Sequence, residues 1–177
     1  MKLPVKWINE SFKKDYTATE LSDLLTLSGI ESEIEKHKGE DILDINLTPN
    51  RADCFSYKGI IQEISALDGL NIINKGLTDP EIHHNEIMEV DVQSVKDSPV
   101  FMTRVIKSIN QDVESPTWLK DKLNQSGYKS INIIVDIANF VMLETGQPLH
   151  TYDLKKINKK IIVRRAAEKE EIDILDG

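Results

Sequence analysis

Two strings, Ile30-Glu-Ser-Glu-Ile-Glu35 and Ile42-Leu-Asp-Ile-Asn-Leu47, decide the fold of the first part of the chain. In the first, apolar and polar residues alternate, the period of a strand with one wet face. The second reads as the next strand. The polar segment 36–41 between them contains Gly39, so the pair predicts a hairpin. Upstream, Thr17-Ala-Thr-Glu20 has the spacing of a capping box. It opens a helix with Leu21, Leu24 and Leu25 on one face and Gly29 as its stop. Leu3-Pro-Val-Lys-Trp-Ile8 is a short apolar opening. Downstream, Thr48-Pro-Asn50 ends the second strand. Asn50 or Asp53 is expected to cap a helix with an Ile60, Ile61, Ile64, Leu67 stripe that ends at Gly69. Residues 1–70 therefore predict a small helix–hairpin–helix lobe.

Residues 71–88 hold Gly76, Pro80 and the pair His83-His84, and read as a linker. Strands are expected at 89–92 and 100–106, where β-branched residues recur. Ser115-Pro116 marks a helix start, with Leu119 and Leu123 as its core face and Gly127 as its stop. The apolar stretch 131–143 is read as a buried helix from the spacing of Ile134, Ile137, Ala138 and Val141. Strands are expected again at 161–165 and 171–175, and Asp176-Gly177 is a hairpin-turn signal. A chain that ends on that signal reads as a fragment cut inside a β-rich domain. The expected class is α/β (α+β), divided into a lobe at 1–70, a linker at 71–88 and a mixed α/β half-domain at 89–177.

Of 177 residues, 40% are hydrophobic and 29% charged, which excludes global disorder. The net charge of −8 gives no overall attraction to nucleic acid or to an anionic membrane. One cysteine, Cys54, excludes an internal disulfide and a multi-cysteine zinc site. The first residues are interrupted by charge and lack an apolar signal core. The longest apolar stretch falls well short of the ~20 residues that span a bilayer. A reducing cytoplasm is the expected compartment.

No phosphate-binding glycine loop, zinc helix or serine elbow is present. The informative strings are Leu47-Thr-Pro-Asn-Arg-Ala-Asp53, leading into Gly59-Ile-Ile-Gln-Glu-Ile64, and Ser130-Ile-Asn-Ile-Ile-Val-Asp136. The second continues through Asn139-Phe-Val-Met-Leu-Glu144 to Gly146-Gln-Pro-Leu-His150 and Tyr152-Asp153. At these residues the chain resembles the N-terminal part of the β subunit of bacterial phenylalanyl-tRNA synthetase, in the family's order and over nearly its whole length. The resemblance implies that 89–177 begins an editing domain, which hydrolyses tyrosine wrongly attached to the phenylalanine tRNA. It implies a holoenzyme that charges tRNA(Phe) using ATP and magnesium, with the ligase site on an α subunit and no cofactor in this chain. The implied partners are that α subunit and tRNA(Phe), with neither membrane nor DNA. Two departures stand out. The family usually carries an oligonucleotide-binding barrel between the hairpin strands, where this chain has only 36–41. Lys129 stands where many members have Arg, which keeps the charge but loses the bidentate fork.

The resemblance places His150 at the editing pocket, where it would donate to the ester, position water or hold the terminal ribose. The alternative is a histidine that ties down a loop. Lys129 would meet a tRNA phosphate or a substrate carbonyl, or is a solvated lysine. Gln147 reads the aminoacyl group or holds the turn. Asp136 and Asn139 share a helix face and read either as a polar patch lining a pocket or, in preference, as groups that hydrogen-bond buried backbone. Asn50, Arg51 and Asp53 read as a strand-to-helix corner, and Cys54 as inert. The pair His83-His84 lacks further ligands nearby. Lys155, Lys156, Lys159 and Lys160, with Arg164 and Arg165, form the one basic cluster, either a weak tRNA contact or a solvated face. Three functions fit this reading. They are a structural piece of the synthetase that contributes part of the editing pocket, a freestanding deacylase of mischarged tRNA, and a non-catalytic module that binds RNA or the α subunit.

Overall fold

The computed structural model describes residues 1–74 and 76–172. Contacts group them into two packing units. The first is Met1–Thr78 with Asn110–Thr151, and the second is Asp79–Ile109 with the residues from Tyr152 onward.

The first unit starts with β1 (Lys2–Pro4) and α1 (Val5–Asn9). It continues with α2 (Ala18–Leu27), whose Thr17 and Glu20 form the expected reciprocal capping box. Gly29 follows with φ +83°, a left-handed conformation that turns the chain into the hairpin. β2 (Glu31–His37) and β3 (Glu40–Asn46) pair antiparallel, and β1 adds to the other side of β3, in the order β1-β3-β2. The hairpin is tighter than the six-residue turn expected. Pairing runs to His37 opposite Glu40, and Lys38 and Gly39 alone make the turn, both at positive φ. That is the geometry of a two-residue primed turn, whose twist matches the strands.

α3 (Tyr57–Asp68) is capped by neither Asn50 nor Asp53. The Ser56 hydroxyl accepts from the Gly59 amide at 3.0 Å. Asp53 instead sits in a 3-10 turn, Ala52–Cys54, and pairs with Arg51. α4 (Thr117–Gln125) begins after Pro116 as expected, but Ser115 does not cap it: the serine is buried and donates to Asp136. α5 (Ile133–Thr145) is the expected helix, although Ile137 on its predicted core face is 47% exposed.

These elements share one core. Leu3, Ile8, Leu21, Leu25, Leu43 and Ile60 are fully buried, and Leu119, Leu123 and Leu143 from α4 and α5 join the same cluster. Each such side chain is worth roughly 1.5–3 kcal/mol of transfer free energy. Trp7 is the hinge pin of the packing. It stacks on Tyr57 of α3 at 4.4 Å and on Phe140 of α5 at 5.4 Å, and Trp118 of α4 meets Phe140 edge-on. Tyr57 bonds to Ser11 at 2.6 Å and donates to the Trp7 carbonyl at 3.0 Å. Burial pushes its phenol up to about 12.

In the second unit β4 (Glu89–Val92) and β5 (Lys160–Val163) pair in parallel. The strand expected at 100–106 does not form. Val100, Met102 and Ile106 are exposed, and no described strand lies beside them to supply the ladder that β-branched alternation needs. Glu171 and Ile172 are irregular; the rest of the strand expected at 171–175, and Asp176-Gly177, lie outside the described residues. The described residues of 71–88 are irregular, as expected, with the Ile73 amide donating to the Ser11 carbonyl at 2.8 Å.

Candidate functional site

α5 organises the site in the first unit, because the residues singled out around Lys129 and His150 flank its two ends. At its start, the Asn132 side chain accepts from the Ile134 and Val135 amides, each at 3.1 Å, satisfying two of the orphan donors of a helix start. One turn further on, Asp136 is fully buried. Its carboxylate accepts from the Ser115 hydroxyl at 2.5 Å, the Ser130 hydroxyl at 2.6 Å and the Ile131 amide at 2.8 Å. Burial works to raise its pKa, but these donors outweigh it and hold the carboxyl below the ordinary carboxylate value.

At the other end Gly146 takes φ +77° and its amide bonds to the Met142 carbonyl at 2.8 Å, a left-handed C-cap. A Cβ at Gly146 would come within 3.3 Å of the Ser56 Cβ and 3.4 Å of the Phe55 carbonyl. The glycine of the Gly146-Gln-Pro-Leu-His150 string therefore rests on the corner that follows Asn50-Arg51-Ala-Asp53. The two informative strings of the sequence meet in space, a contact that no local pattern announces. Thr145 fixes the exit, donating to the Val141 carbonyl at 2.7 Å and accepting from the Gln147 amide at 3.2 Å.

The starts of α4 and α5 meet through Ser115 and Asp136, and the segment after α4 returns to the start of α5. A cleft of about 510 Å³ lies where the loops beside Lys129 and Gln147 converge, with Gly127, Tyr128, Gly146, Pro148, Phe55 and Met142 among its walls. Lys129, Gln147 and His150 are all exposed. None of their side chains lines this cleft. The structure thus brings together the loops that carry Lys129 and Gln147, with the three side chains outside the cleft lining.

Arg51 sits at the centre of the neighbouring corner. Its guanidinium donates to Asp53 at 3.0 and 3.2 Å, to Glu63 at 2.7 Å and to the Cys54 sulfur at 3.0 Å. Asp53, Cys54 and Glu63 offer ligand atoms within 4.8 Å of one another, a spacing that suits a metal ion. The donor chemistry does not suit one. The arginine already supplies the cation, and burial together with Asp53 pushes the Cys54 thiol up to about 11, away from the thiolate a metal takes. Arg51 pairs with nearby acids as the corner reading expects, whereas Asp53 is not the cap. His84 Nδ1 accepts from the Glu86 amide at 3.2 Å. Among the described residues neither His83 nor His84 joins a metal-spaced set.

In the second unit the basic cluster divides. Arg164 pairs bidentately with Glu170 at 2.6 and 2.7 Å and pulls that carboxyl down to about 2. Arg165 grips Asp97 at 2.6 Å through two nitrogens, and Lys160 in β5 reaches Asp91 at 3.2 Å. Lys155 and Lys156, in a 3-10 turn at Leu154–Lys156, and Lys159 stay exposed. Of the cluster, Lys160 and both arginines are engaged within the unit.

The family model of the B3/4 domain matches residues 97–177, a span that includes α4, α5 and both site loops. More particularly, the chain is similar to the β subunits of phenylalanine--tRNA ligases. It is 39% identical to that of Aliivibrio fischeri over 135 residues, 76% of this chain and 17% of that protein. It is 37% identical to that of Francisella tularensis over 158 residues, and 40% identical to that of Psychrobacter arcticus over 160, in each case 88% of this chain and 20% of the relative. A solved N-terminal fragment of the phenylalanyl-tRNA synthetase beta subunit from Pyrococcus horikoshii overlaps 55% of this chain and 28% of its own, at 19% identity and a TM-score of 0.39. The resemblance read from the Gly146-Gln-Pro-Leu-His150 string is borne out by these relatives. The chain spans about a fifth or less of the length of the curated relatives it matches. Among the described residues no helix is long and apolar enough to cross a membrane.

Proposed function

We propose that this chain is a structural part of a phenylalanyl-tRNA synthetase β subunit and supplies one wall of its editing pocket. The observation that carries the reading is the similarity to β subunits over 76–88% of the chain. In this reading the holoenzyme charges tRNA(Phe) with phenylalanine using ATP and magnesium, in the cytoplasm, and pairs this subunit with an α subunit. It also hydrolyses mischarged tyrosyl-tRNA. Residues 1–70 are its N-terminal lobe, 71–88 a linker and 89–177 the first half of the editing domain.

His150, Gln147 and Lys129 are the pocket residues in this reading. Exposed polar groups on loops held by a rigid helix are the usual form of a site that meets a large substrate. The exposed Lys155, Lys156 and Lys159 add a weak phosphate contact, and Lys160 contributes less because it is paired with Asp91. Ester hydrolysis needs donors preorganised around a developing oxyanion and a positioned water. One wall does not provide that, so the isolated 177 residues should leave tyrosyl-tRNA at its spontaneous decay rate. In the synthetase that carries this sequence, His150→Ala should slow deacylation by about 10²-fold, the low end of what a positioned acid or base contributes, while phenylalanylation is kept. The assay is decay of radiolabelled tyrosyl-tRNA. Unchanged decay in the variant would reduce His150 to a loop residue. Rapid decay with the isolated chain would favour a freestanding deacylase.

A further inference from the structure

We infer that Asp136 is a positioning residue: its buried carboxylate fixes the segment 128–132 and, through it, Lys129 on the wall of the proposed pocket. The inference rests on the editing reading above.

Packing alone does not call for a carboxylate here. Asp136 lies among Ile133, Ile134, Val135 and Ile137 on α5 and is fully buried. No cation is recorded beside it among the described residues; its partners are neutral donors. A buried charge is costly unless such donors replace its water. Two of the three, the Ser130 hydroxyl and the Ile131 amide, belong to the residues directly after Lys129. The third, Ser115, ties the same carboxylate to the start of α4.

The geometry gives that grip a purpose. α5 has 13 residues and is therefore about 20 Å long. Tyr128 lines the cleft with Met142 and Gly146, at the far end of α5. Ser130 and Ile131 are bound beside its first turn. Lys129 lies between two holds, with Tyr128 on the cleft before it and Ser130 and Ile131 bound to Asp136 directly after it. Releasing the anchor frees the chain on one side of Lys129, so Lys129 moves without any change to Lys129 itself.

In the synthetase that carries this sequence, Asp136→Asn and Ser130→Ala should lower kcat for deacylation of tyrosyl-tRNA by about 10- to 100-fold, what a misplacement of about 1 Å costs. Phenylalanylation by the same preparations should stay within about twofold, which shows that they are folded. Ser115→Ala loosens the α4 side only. It should lower the unfolding temperature as much as Ser130→Ala does, yet keep deacylation. Asp136→Asn combined with Lys129→Gln should be no slower than the slower single variant, since the two act as a unit. In the 177-residue chain the Ile131 amide should exchange slowly with solvent and lose that protection in Asp136→Asn. Normal deacylation in Asp136→Asn overturns the inference, as does an equal loss in Ser115→Ala and Ser130→Ala. Additive effects of Asp136→Asn and Lys129→Gln overturn the path through Lys129. Intact deacylation in His150→Ala is a separate result and tells against the pocket reading itself.

Discussion

Gly59 shows how a single residue sets the corner beneath the site. It lies on the first turn of α3, where a Cβ would meet the Asp53 carbonyl oxygen at 2.0 Å and the Cys54 Cα at 2.8 Å. Two effects of Gly59→Ala oppose each other. Alanine is the better helix former by about 1 kcal/mol. The added methyl, however, meets backbone that is held by Arg51 and cannot rotate away, and overpacking of that kind costs about 1–3 kcal/mol. The clash should win, so Gly59→Ala should lower the urea midpoint of unfolding. A raised midpoint would mean that α3 and the 3-10 turn are further apart than described. The motif placed this residue but gave no reason for the glycine, because its neighbours Asp53 and Cys54 arrive from six and five residues upstream by way of a turn. Asp136 is the same lesson at longer range. Its burial and hydrogen-bonding role were legible from its place on an apolar face, whereas Ser115 is 21 residues away and leaves no local trace.

At the scale of elements, whatever depends on local chemistry was readable. The Thr17–Glu20 capping box, the stops at Gly29, Gly69 and Gly127, and the α5 helix all follow from spacing, and all are present. What failed depended on partners. The alternation in 100–106 suits a strand, but a strand exists only with a neighbour to pair with. At the α3 start Asn50 and Asp53 stood as the cap candidates, and the 3-10 turn moved the cap to Ser56. The hairpin was found, yet its turn came out as two residues because Lys38 accepts φ +50°. That turn is where the family usually carries its barrel, so the hairpin should tolerate an insertion there. Lys38, Gly39 and Glu40 are exposed, and the buried members of β3, Ile42, Leu43 and Ile45, begin three residues beyond Gly39. Loop closure costs only about 0.6 kcal/mol for each doubling of length. Ten Gly/Ser residues placed between Lys38 and Gly39 should therefore lower stability by about 1–2 kcal/mol, measured by urea unfolding. Loss of cooperative unfolding would show that the tight turn holds the sheet register.

For the whole molecule, packing and chain order divide the protein differently. The proposed linker at 71–88 separates two stretches of sequence, whereas the contacts join 110–151 to the first 78 residues through Leu119, Leu123 and Leu143. The Trp7 stack explains how: its ring meets α3 on one side and α5 on the other, and Lys122 of α4 lies 4.7 Å above it while bonding Glu10 at 2.9 Å. A protease separates the two descriptions, because cleavage needs a segment that opens without breaking a core. The described residues of 71–88 expose Leu77, Ile82 and Ile87 and form no helix or strand. Residues 115–145 hold α4 and α5, whose opening would strip Phe140 and Leu143 from the shared core. Limited digestion should cut first within 71–88 and leave 115–145 intact. The two products should stay associated through the shared core and still bury Trp7 between Tyr57 and Phe140, as read from a blue-shifted tryptophan emission. Early cutting within 115–145, with 71–88 protected, would mean that α4 and α5 are loosely held and that the linker lies elsewhere.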